Sequence, residues 1–172
     1  MSTTTELTGI INAHSVIFKA PDGTDLPVHL YRGGDVSVPG IATLKALNVS
    51  KVISLQNAKQ DSAATILFEH ARVEEAGMTW VNVPMDSSGV FSYDDISKVP
   101  QVLSEIQNTI GPVLIHCSKG ADRSSVVASI YRIQHGWSVD KAIKEGQSYG
   151  WAWWNSGMRK AVRQWAKDQG YK

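Results

Sequence analysis

"VLIHCSKGADRSS", residues 113–125, holds the only cysteine of the chain. Val113–Ile115 reads as a buried strand, and "SSVVASIYRIQH" (124–135) reads as a helix that stops at Gly136. The thiol of Cys117 therefore falls at the carboxyl end of a strand, where open α/β sheets build their sites. A loop that runs straight into a helix can aim several backbone N–H groups at one point, an arrangement that receives phosphate. Gly120 supplies the backbone freedom such a tight loop needs. Arg123 adds a rigid, permanently charged fork suited to two phosphate oxygens. Ordinary cysteine is only a few per cent thiolate at neutral pH, and helix N-termini and neighbouring cations favour the anion. One turn thus offers both a nucleophile and an oxyanion receptor.

Working outward, strands and helices alternate. "IINAHSVIF" (10–18) and "VHLY" (28–31) are short strand-like runs separated by turn residues, and they are expected near one edge of a sheet. "VPGIATLKALNV" has helical spacing, and "KVISLQ" reads as a buried strand. "DSAATILFEHARVEEAG" is an amphipathic helix ended by Gly77, and "TWVNVPM" is a strand. "SYDDISKVPQVLSEIQN" is a helix with Ser92 as N-cap and Asp95 three residues on, bent or delayed by Pro100. Beyond the cysteine loop, "SVDKAIKEGQSYG" starts a helix at Ser138, and a last one runs from about Asn155 to Lys167. The pattern predicts an α/β fold: a central, mostly parallel sheet flanked by helices on both faces, with a phosphate-binding loop between a core strand and a helix. One domain over residues 1–172 is expected, its first eight residues flexible.

Bulk properties narrow the function. A net charge of +1 and no long basic run give no reason to expect nucleic acid as a partner or stable membrane association. A single cysteine suits a reducing compartment, and the first residues lack a basic start and apolar run of the secretory kind. A cytoplasmic monomer is the expectation. His14, His29, His70 and His135 are scattered without metal-ligand spacing, so neither metal nor other cofactor is expected.

His116-Cys117, five residues, then Arg123-Ser124 is similar to the HCx5R[ST] signature of cysteine-dependent protein tyrosine phosphatases. The chain's size and the motif's position resemble the compact dual-specificity branch. "LYRGGDVSVPGIATLKALNVSKVISLQ" resembles that family's strand, arginine turn, helix and strand opening. The resemblance implies that Cys117 attacks phosphorus and that Arg123 and the amides of Ser118, Lys119, Gly120, Ala121 and Asp122 hold the phosphate. It also implies that Ser124 bonds to the sulfur and that His116 braces the loop. Ser125 stands where the family usually has glycine. Arg32 matches a family arginine, for which a structural salt bridge is expected.

The leaving oxygen needs a proton, which the family takes from an aspartate some thirty residues before the cysteine. Asp86 lies 31 positions before Cys117, just past a strand end, and is the expected acid. Asp122 is the second candidate, because Cys-Ser-x-Gly-x-Asp-Arg also resembles the loop of myotubularin-type phosphoinositide phosphatases. Lys119 is read as a substrate contact or a solvated loop lysine. Trp151–Trp154 are read as a packing cluster, one ring of which could wall the cleft. The implied substrate is a phosphorylated protein or a small phosphorylated molecule. Protein phosphotyrosine, phosphoserine or phosphothreonine is expected in a shallow, permissive site, with phosphoinositide or inositol phosphate as the alternative. A catalytically weak phosphate-binding module is the second alternative.

Overall fold

The computed structural model describes residues 7–87, 91–152, 154 and 156–172, and of Tyr93 the backbone only. Its elements in chain order are β1 (His14–Ser15), β2 (Leu30–Gly33), α1 (Val38–Ala46), β3 (Lys51–Ser54) and α2 (Ala63–Glu75). There follow β4 (Thr79–Asn82), α3 (Tyr93–Ile96), α4 (Val99–Gln107) and β5 (Val113–His116). The chain closes with α5 (Arg123–Gln134), α6 (Val139–Ser148) and α7 (Ser156–Asp168). The strands form one sheet in the order β1-β2-β5-β3-β4. Only β1 is antiparallel, against β2, and the other pairs are parallel. The expected α/β architecture is therefore present.

Period-two alternation divides the strands between two cores. Leu30, Ile53, Val113 and Ile115 pack with α4, α5, α6 and α7 on one face. Tyr31, Val52 and Leu114 pack with Leu44 of α1 and Val73 of α2 on the other. β5 lies between β2 and β3 in register, Ile115 facing Arg32 on one side and Ile53 on the other. Every residue of β5 is buried, which explains its unbroken run of apolar residues up to His116. The cysteine loop thus begins at the centre of the sheet.

Two boundaries depart from the sequence reading. The segment 92–108 is two helices, with Pro100 in the first turn of α4, where its missing N–H costs nothing. Asp95 does take the capping-box role, accepting from Ser92 N and Ser92 Oγ. Residues 10–18 form a strand of only two residues, and the rest of that run is irregular. Trp151 and Trp154, two of the tryptophans read as a packing cluster, differ in burial. Trp151 is buried in the core whereas Trp154 is exposed, and Trp153 lies outside the described residues, as does Asn155, the expected start of α7. Among the described residues no helix is long and apolar enough to cross a membrane.

Candidate active site

The loop from Cys117 to Arg123 is pinned at both ends and underneath. Cys117 N donates to Gly33 O, and Ser118 O accepts from Asp35 N, so the loop hangs from the end of β2. Gly120 has a φ of +67°, and a side chain there would stand 2.6 Å from Gly34 N. A side chain on Gly34 would in turn stand 2.6 Å from Ser118 O. Two glycines facing each other therefore let the loop close down on β2. Among the described residues, the N–H groups of Ser118, Lys119 and Ala121 bond to no backbone carbonyl, which leaves them available to an anion.

Cys117 is buried, with Sγ 3.8 Å from Ser124 Oγ in the first turn of α5. As a thiolate the sulfur would accept from that hydroxyl. His116, wholly buried, binds through Nε2 to Glu69 Oε1 at 2.9 Å, and Trp80 Nε1 donates to the same oxygen. An ionised carboxylate only accepts, so the imidazole proton sits on Nε2 and the loop's first residue is braced against α2. Ser125 is also buried. It donates to Ala121 O and packs against Gly146 of α6, where an added side chain would lie 3.1 Å from Ser125 Cβ. The extra bulk at the usual glycine position is thus accommodated by a glycine on the neighbouring helix.

A pocket of about 260 Å³ opens over the loop, lined by Asp61, Ser87, Cys117, Ser118, Lys119, Asp122 and Arg123. Asp61 is the residue that sequence reasoning missed. It ends the turn between β3 and α2 and grips Arg123 bidentately, Oδ2 to Nη1 at 2.6 Å and Oδ1 to Nη2 at 2.9 Å. It also accepts from Ser118 Oγ and from Asn57 N. Burial alone would raise its pKa, but donation from Arg123, Ser118 and Asn57 brings it down to about 2. Its signal was positional: it follows a buried strand whose carboxyl end points to the same rim, yet "DS" also starts a helix, and the helix reading absorbed it.

Asp86 sits on the adjoining rim but does not line the pocket, where its neighbour Ser87 does. Its carboxylate accepts from Asn57 Nδ2 at 2.7 Å and Gln60 Nε2 at 3.1 Å, and its N–H donates to Asp95. Asp122, the second candidate, lines the pocket directly, as does Lys119. No tryptophan among the described residues lines it. The expected salt bridge of Arg32 is also absent: among the described residues no carboxylate pairs with it. Glu145, the acid nearest in effect, is taken bidentately by Arg132. The other histidines have structural partners, His29 bonding to Ile106 O and His135 to Tyr131 O.

Cys117 and Arg123 thus line one pocket beside the carboxyl end of the central strand, on a five-stranded sheet of this order. The family model described as "DSP-PTPase phosphatase fused to NAD+ Kinase" matches residues 8–170, and the chain belongs to that family. The dual specificity protein phosphatase TpbA of Pseudomonas aeruginosa (strain UCBPP-PA14) is 32% identical over 124 residues, covering 70% of this chain and 51% of TpbA. The chain thus spans about half the length of the curated relatives it matches. A crystal structure of P. aeruginosa TpbA, a cysteine-to-serine variant in complex with phosphotyrosine, aligns at a TM-score of 0.57 and 25% identity over 78% of this chain and 76% of that one. The catalytic core of the inositol pyrophosphate phosphatase Siw14 from Saccharomyces cerevisiae aligns at 0.66 over 94% of both chains, but at 14% identity that likeness is one of fold.

Proposed function

We propose that this protein hydrolyses phosphate monoesters on protein side chains through a phosphocysteine intermediate. The observation that carries the reading is the convergence of Cys117, Ser118, Lys119 and Arg123 on one pocket. In the first step the Cys117 thiolate forms a bond to phosphorus while the bond to the substrate oxygen breaks. Asp86, protonated, gives its proton to that oxygen. Water then attacks the phosphocysteine, the P–S bond breaks, Asp86 takes the proton back, and Ser124 donates to the departing sulfur. Arg123 and the amides hold the equatorial oxygens throughout. Such fixed donors do the charge stabilisation that this slow reaction needs, and no step calls for a metal.

The charge of the rim supports a singly phosphorylated substrate. Lys119 and Arg123 are opposed in the pocket lining by Asp61 and Asp122, and Arg123 already shares its charge with Asp61. A ring carrying many phosphates would need an excess of cations that the lining does not hold. The presence of Lys119 and Asp122 in the pocket favours a phosphoinositide as the second reading. Turnover of phosphopeptides, phosphoinositides and inositol polyphosphates should be compared side by side. Faster turnover of an inositol polyphosphate than of any phosphopeptide would overturn the substrate assignment. Cys117→Ser should abolish turnover yet still bind phosphate, and chelators should leave the wild type active. Turnover by Cys117→Ser would exclude the phosphocysteine.

A further inference from the structure

Arg32, on β2, is 1% exposed and lies beneath the cysteine loop. Its Nη2 donates to Gly120 O and Ser125 Oγ, each at 2.7 Å, and lies 3.3 Å from Ser124 Oγ and 3.5 Å from Ala121 O, where a hydrogen can only be shared. Its Nε has no partner, and the guanidinium lies 5.2 Å from the centre of the Tyr149 ring. Burying a cation without a carboxylate is costly, so something in the native state must compensate it. Around Arg32 stand Glu145, which Arg132 occupies, then Tyr149, His14 and the Cys117 sulfur. Burial lowers the Arg32 pKa to about 10, and Cys117 is the foremost charge acting against that, ahead of Glu145 and Tyr149. The guanidinium therefore stays charged at neutral pH.

Ser124 Oγ is shared. It lies within reach of Arg32 on one side and of the Cys117 sulfur on the other. A hydroxyl that accepts from a cation becomes a stronger donor at its own hydrogen. We propose that Arg32 is a positioning residue for the nucleophile: its charge, passed through the Ser124 hydroxyl, holds Cys117 as the thiolate and eases its departure from phosphorus. The inference rests on the phosphocysteine reading. The other charges facing Cys117 are Arg123 with Asp61, then Lys119 and Asp122 at the rim, and His116 with Glu69 behind it. None of these groups is itself bonded to Arg32.

The test is the pH dependence of Cys117 alkylation by iodoacetamide, which needs no substrate. An inactive wild type would sink the proposed function while leaving this comparison intact. In Arg32→Met, checked for folding by circular dichroism, the half-maximal pH should rise by about one unit or more. In a Ser124→Ala background, which removes the hydroxyl, the same change should produce a much smaller rise. Arg32→Lys, which retains the charge under the loop, should stay within about half a unit of the wild type. An unmoved profile in folded Arg32→Met overturns the proposal, as does an undiminished rise in the Ser124→Ala background. Should Arg32→Met not fold, a rise of one unit or more in folded Arg32→Lys has the same force, and an unmoved profile there upholds the proposal.

Discussion

Asp61, Asp86 and Asp122 crowd one rim, yet their surroundings suit them to different work. Both oxygens of Asp61 are taken up by Arg123, Ser118 and Asn57, so Asp61 is a clamp for the arginine. Asp86 is held by two amides at the edge of the cleft, and Asp122 faces into it from the start of α5. A general acid matters in proportion to how much its leaving group needs a proton. Asp86→Asn should therefore slow hydrolysis of an alkyl phosphate by about 10²-fold or more while sparing a nitrophenyl phosphate. The same variant should lose the high-pH decline in kcat/KM. Selective loss of alkyl turnover in Asp122→Asn, with Asp86→Asn damaging both substrates alike, would transfer the role to Asp122.

At the scale of the elements, the cysteine loop is shaped by β2 as much as by β5. Gly34 is the point of contact, its absent side chain making room for Ser118 O and Gly120 N. Gly34→Ala should push the loop away from β2 and lower kcat/KM by about tenfold or more, since small misplacements of reacting groups are severe. Wild-type kinetics in Gly34→Ala would show that the loop relaxes freely. Strand, loop and helix were legible in "VLIHCSKGADRSS" because they are local: an apolar run, a glycine, an arginine and a helical period. The partners of those residues were not. Glu69, Asp61 and Gly34 lie 47, 62 and 86 positions from His116, Arg123 and Gly120, and nothing in local periodicity joins them. Arg32 looked like a residue for a salt bridge because charge is visible in sequence and burial beneath a loop is not.

For the molecule as a whole, the site and the stability are linked through the same ion pair. The folded-state pKa of Asp61, about 2, lies below its ordinary value of 3.8, so the contribution is full above about pH 4 and is lost as the pH falls towards 2. Asp95, also held below its ordinary range by bonds from Ser92, Asp86 and Lys98 that outweigh its burial, adds a loss of the same sign. Asp61→Asn should thus cost about 1–3 kcal/mol at pH 7, less than a fully buried pair because the pocket admits water. Its melting temperature should also decline less steeply than that of the wild type between pH 4 and 2. Equal steepness in both proteins would remove Asp61 from the acid response. The placement of β5 has a different consequence, for the order of synthesis. It is the last strand made and the middle strand of the sheet, seated between β2 and β3. Without β5, the pairs β1–β2 and β3–β4 would each present an unpaired edge. Such edges are open to mispairing with other chains. The strand that joins the two pairs leads directly into the loop of Cys117, so the bonds from that loop to Gly33 and Asp35 require β5 to be in place beside β2.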